Sequence, residues 1–74
     1  MITHNKEEFK FETRVDGHDA ELTYRKEGQV LVFDHTYVPD ALRGKGIAKA
    51  LVEFGIIYAR ENNYKIEPKC SYVV

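Results

Sequence analysis

Arg43, Gly44, Lys45 and Gly46 stand between an apolar run ending at Val38 and a long apolar-striped segment beginning at Ile47. A strand, a glycine-rich turn with basic residues, and a helix start together make an anion site. The first amides of a helix have no internal partner, and the helix dipole places partial positive charge there. Glycines let a bulky anion come close to the backbone. Between Asp40 and Lys49 there are three basic residues and one acid, whereas from Lys6 to Glu27 acids outnumber bases seven to five. The local basic excess falls on the turn that would hold an anion. Two further groups could do chemistry near it. His35, late in the preceding strand, could take a proton from an amine, or could fix the strand end as a neutral histidine. Cys70 could be a nucleophile if a helix start or a cation lowered its pKa; otherwise it is a small buried hydrophobe.

Two glycine-rich phosphate motifs fail here. A P-loop needs Ser or Thr after Gly-Lys to hold magnesium, and Gly46 follows Lys45. A dinucleotide fingerprint needs a third glycine where Lys49 stands, and an acid after the next strand, where Pro68-Lys69 stands. No His, Cys or acid cluster has metal-ligand spacing, so no metal site is expected.

The elements that must hold this turn follow from periodicity. Met1 to Lys6 reads as a polar tail. Phe9, Phe11, Thr13 and Val15 alternate with polar residues, giving a half-buried strand over Glu8 to Val15. Asp16-Gly17 is a hairpin signal. Ala20, Leu22 and Tyr24 give a second strand, and Glu27-Gly28 the next turn. The third strand, Val30 to Val38, is apolar on both faces at its start and polar at its end. It therefore runs through the middle of the domain and stops before Pro39. A helix is expected from Gly44 to Asn62, roughly 28 Å long. Ile47, Leu51, Phe54 and Tyr58 form one stripe; Ala48, Val52, Gly55 and Ala59 form a flanking stripe of mostly small residues, suited to close packing on a sheet. With Ile56 and Ile57 the apolar arc is wider than a sheet alone covers, which allows a homodimer. Tyr64 to Lys69 reads as a last strand, parallel to the third, with Pro68 making it an edge strand or one that splays. The expected class is α/β (α+β): a three-stranded antiparallel meander, one long helix, then a parallel splayed edge strand.

Seventy-four residues form one small domain, residues 1–74. The abrupt apolar end Ser71-Tyr72-Val73-Val74 suggests truncation, a further tail or a very compact family. A net charge of −1 argues against a general nucleic-acid binder. One cysteine excludes an internal disulfide and, with no apolar leader or membrane-length run, makes the cytoplasm the default location.

Arg43-Gly44-Lys45-Gly46-Ile47-Ala48 matches Arg/Gln-x-x-Gly-x-Gly/Ala and resembles the coenzyme A pyrophosphate loop of the GCN5-related N-acetyltransferases. Val38-Pro39-Asp40 and Leu51-Val52 resemble the same family. The likeness extends to its short stand-alone branch through His35-Thr36-Tyr37-Val38 and Pro68-Lys69-Cys70-Ser71-Tyr72. The resemblance implies a minimal acetyltransferase-like fold that binds acetyl-CoA or coenzyme A. Amides from Gly44 to Ala48, including Ile47, would cradle the pyrophosphate, with Arg43 and Lys45 adding charge. The pantetheine arm would lie along Thr36, Tyr37 and Val38, an amide near Val38 would stabilise the oxyanion, and the thioester would reach His35 and Cys70. The acetyl group would pass to an unidentified amine, directly or through Cys70. Two other readings stay open: a non-catalytic acyl-CoA-binding module, and a dimeric interaction protein.

Overall fold

The alternating segments pair as their patterns require, and one segment more than expected joins them. In a computed structural model of the chain, which describes residues 1–68, five strands form one sheet in the order β1-β2-β3-β4-β5. These are β1 (Ile2–Asn5), β2 (Lys10–Val15), β3 (His18–Glu27), β4 (Val30–Tyr37) and β5 (Lys65–Pro68). The first four are antiparallel, and β5 runs parallel to β4. The single long helix α1 (Ile47–Glu61) connects β4 to β5 and packs on one face of the sheet. Phe11, Leu22, Leu31, Phe33, Leu42 and Leu51 fill the space between them and are fully buried.

The expected polar tail is strand β1, so the antiparallel part has four strands rather than three. Register explains the gain. Ile2 pairs with Thr13 and His4 with Phe11, which turns Ile2 and His4 toward the core side. Ile2 packs against the core. The His4 ring stacks on Phe11 at 4.3 Å, meets Tyr58 edge-on at 4.4 Å, and its Nε2 lies 2.6 Å from the Tyr24 hydroxyl. His4 is thus a half-buried strand residue packed on the core rings with one satisfied polar atom, not a tail residue.

This packing has a pH consequence. Burial first, and the Lys6 ammonium second, hold His4 below the ordinary histidine range. An unfolded chain takes up its proton near the usual value of about 6.5. Between that value and the lowered folded one, the unfolded state binds more protons, so stability falls as pH drops. Melts at about pH 7.5 and about pH 5.5 should show a lower Tm in acid. In His4→Phe that acid-induced loss is expected to shrink. An equal loss in the variant would assign it to other groups.

Phe9 also departs from expectation. It lies before β2 with φ of 56°, and 48% of it is exposed. Its carbonyl accepts the Tyr24 N–H at 2.9 Å, so it serves the turn rather than the apolar face.

β4 is an interior strand between β3 and β5, as its two-faced apolar start requires. Leu31 and Phe33 face α1 with no exposure, and Val32, 1% exposed, is buried on the other face. A bulge interrupts its pairing with β3. Tyr24 pairs with Phe33 but Thr23 with His35, which leaves Asp34 as the extra residue. The Thr23 hydroxyl donates to the Asp34 carboxylate at 2.6 Å and secures the bulge.

The helix begins at Ile47, three residues later than periodicity suggests, because Gly44 and Gly46 hold φ of 82° and 72°. Its end is as expected: Asn62 is the C-cap, and its side-chain amide donates to the Tyr58 carbonyl at 2.9 Å. The buried face is Leu51, Val52, Gly55 and Ala59. The small-residue stripe is therefore the centre of the contact. Phe54 moves to the rim, 38% exposed, and Ile57 is 55% exposed.

Candidate functional site

The loop between β4 and α1 is anchored at one point and open elsewhere. Pro39 ends the strand, and a 3₁₀ turn over Asp40–Leu42 follows. Leu42, 1% exposed, inserts into the core and its N–H donates to the Pro39 carbonyl at 2.9 Å. The Arg43 N–H donates to the Asp40 carbonyl at 3.2 Å. Beyond this anchor come Gly44, Lys45 and Gly46, all exposed. Two left-handed residues in three turn the chain sharply into the helix, a conformation that glycine adopts without strain.

Gly46 is the N-cap and provides no side chain to bond the first helical amides. Its carbonyl accepts the Ala50 N–H at 3.0 Å, which starts the helical ladder. The first turn carries no acid. Amides at Ile47, Ala48 and Lys49 thus keep the partial positive charge of a helix start. A Cβ built on Gly44 or Gly46 meets no atom within 4 Å, so the space over both glycines is open. Amide donors, two glycines and flanking cations are the donor set that a pyrophosphate needs, and the residues fit such a group.

The cations are not idle. Arg43 Nε lies 3.0 Å from an Asp40 carboxylate oxygen, and Lys45 Nζ lies 3.2 Å from one of Asp16. All four side chains are substantially exposed. Such pairs contribute little, so an anion can exchange for either carboxylate.

Beside the loop, the β4–β5 ladder runs from Val30↔Lys65 to Phe33↔Pro68, and the described part of β5 goes no further. Asp34 to Tyr37 lie past that point, next to the loop. Thr36 pairs with the core residue Leu22 and shares its face, the one toward α1. Val38, half-buried, packs against the core. His35 and Tyr37 pair with Thr23 and Glu21 and stand on the opposite face, both exposed. The structure therefore brings Thr36, Val38, Ile47 and Ala48 to the loop side and sets His35 and Tyr37 across the sheet. Cys70, Ser71 and Tyr72 lie outside the described residues.

Sequence reasoning missed the carboxylate partners of the two loop cations. Asp40, three residues before Arg43, was within reach of a local pairing rule. Asp16 is 29 residues away from Lys45, and only the hairpin's position over the loop reveals it. On the far face, a cavity of about 530 Å³ is lined by Thr3, Lys10, Glu12, Arg14 and Glu21, among others. Lys10 Nζ is within 3.4 Å of Glu8, Glu12 and Glu21, so the charge there is already paired. Among the described residues no helix is long and apolar enough to cross a membrane, and no acid, His or Cys group could hold a metal ion.

Comparison with known proteins bears on the loop and the fold together. A sequence model described as GCN5-related N-acetyl-transferase matches residues 10–74. Protein NATD1 of Mus musculus is 37% identical over 75 residues, covering 97% of this chain and 68% of that protein. Protein NATD1 of Gallus gallus is 37% identical over 76 residues, covering 99% and 69%. A GCN5-like protein of Staphylococcus aureus, solved by NMR, superposes with a TM-score of 0.74 at 39% identity, covering 97% of this chain and 72% of that one.

Proposed function

The chain belongs to the GCN5-related N-acetyltransferase family, and from that premise we propose that it binds acetyl-CoA and transfers the acetyl group to an amine. The observation that carries the reading is the loop: two left-handed glycines lead into a helix start that no side chain caps, with open space above. Acetyl-CoA supplies an acetyl group already activated as a thioester. Amides from Gly44 to Ala48 bind its pyrophosphate, and Arg43 and Lys45 exchange their carboxylate partners for phosphate oxygens. The backbone of Thr36 to Val38, past the described part of the β4–β5 ladder, receives the pantetheine arm. The Val38 N–H is the donor proposed for the oxyanion.

His35, on the face opposite α1, is proposed as the base that takes the amine's proton. Cys70 is either a wall of the acyl pocket or a transient acetyl acceptor. The amine itself is unassigned.

Calorimetry tests the pocket. Acetyl-CoA and coenzyme A are expected to bind the full chain, and Arg43→Ala is expected to weaken both by about fivefold, the range of a partly solvated charge contact. No heat with the intact chain sinks the proposal. Binding without turnover of any amine in a coupled thiol assay would favour the non-catalytic acyl-CoA module.

A further inference from the structure

We propose that Asp16 is a resident counter-anion of the loop: it holds the Lys45 ammonium until an anionic ligand replaces it, and so lowers the loop's affinity for pyrophosphate. The inference rests on the cofactor reading above and adds a determinant from outside the motif.

Asp16 is not part of the loop. It is the first corner of the β2–β3 hairpin, with φ of 51°, followed by Gly17 at 78° and closed by the Val15↔His18 pair. Two successive left-handed residues make a tight turn that matches the twist of the strands, so the carboxylate comes from a stiff support. Lys45 sits between the two left-handed glycines. Its ammonium nevertheless reaches across to Asp16 at 3.2 Å. Arg43 is occupied by Asp40 at 3.0 Å within its own turn. Each loop cation therefore rests beside an acid.

The sign follows from charge. Asp16 competes with phosphate for Lys45 and also repels it directly. Both effects lower affinity. The Lys45 and Asp16 side chains are 49% and 70% exposed, so the pair is weak and exchanges readily. If Asp16 instead served to aim Lys45 at the ligand, its removal would weaken binding.

The test is calorimetry with coenzyme A on the full chain and on Asp16→Asn. Asparagine tolerates the left-handed conformation, and Asn-Gly is a favoured hairpin pair, so the variant keeps its fold. Asp19→Asn is the control: it removes the same charge from the same hairpin, but its carboxylate faces Arg14 at 3.9 Å. At about 50 mM salt, Asp16→Asn is expected to bind about three- to fivefold more tightly, and Asp19→Asn to change by less than about 1.5-fold. At about 0.5 M salt the gain should fade. In a Lys45→Ala background it should drop below about twofold. Unchanged or weaker binding in Asp16→Asn overturns the proposal, as does a full gain without Lys45. If the unmodified chain binds no coenzyme A, the cofactor reading fails and this one with it. If it binds and Asp16→Asn does not differ, only this one fails.

Discussion

Replacing Gly55 with leucine is expected to unfold the domain, and replacing it with alanine to cost up to about 2 kcal/mol. A Cβ built on Gly55 stands 2.8 Å from Phe33 Cζ, 3.2 Å from Phe33 Cε2 and 3.3 Å from Phe11 Cε2. Both rings have no exposure and cannot swing into solvent. Alanine in a helix interior normally gains about 1 kcal/mol over glycine. Here overpacking costs about 1–3 kcal/mol and wins. For a chain of this size each kcal/mol lowers Tm by about 4–8 °C, which thermal melts followed by circular dichroism resolve. Leucine adds three more carbons at a point with no room for one. The contact also bears on the site, because Gly55 lets α1 sit close to the sheet and α1 carries the loop's amides at its start. Gly55→Ala should therefore also weaken coenzyme A binding, though Gly55 lies two turns from the loop. A higher Tm for Gly55→Ala would show that the helix has slack over Phe33.

Gly55 was legible as part of a small-residue stripe, because Ala48, Val52, Gly55 and Ala59 recur at helical spacing. Small side chains suit close packing on a sheet, so this stripe was legible as a sheet-facing one. How the neighbouring stripe of Ile47, Leu51, Phe54 and Tyr58 divides was not: periodicity counts apolar residues, whereas contact with neighbouring rings decides burial, and Phe54 lies at the rim. The same distinction explains β1. Its segment has one aliphatic residue, Ile2, inside the strand, and His4 counts as polar in any pattern. Only the Phe11, Tyr24 and Tyr58 rings around it tie it to the core. The central strand, the stop at Pro39, the glycine turn and the parallel last strand were legible because each depends on local chemistry. The Asp34 bulge was not, since a bulge is a relation between two strands, nor was the Asp16–Lys45 pair.

Gly46→Val and Gly46→Asn separate two reasons for a glycine at the helix start. Gly46 has φ of 72°, and its built Cβ meets no atom within 4 Å. The fold therefore needs glycine there for its backbone angle and not for room. Valine, β-branched, is expected to lose about 1–2 kcal/mol or more by adopting that angle. Asparagine visits the left-handed region readily and should fold at nearly the original Tm. Both place a Cβ in the open space over the helix amides. If the pyrophosphate occupies that space, both should lose at least about tenfold in coenzyme A affinity, a cost of about 1.4 kcal/mol. Loss in valine alone would trace the effect to a distorted loop. Unchanged affinity in a folded Gly46→Asn variant would move the anion away from Gly46. The amides and cations would then have to act from the Arg43 side of the turn, where Asp40 already sits 3.0 Å from the guanidinium.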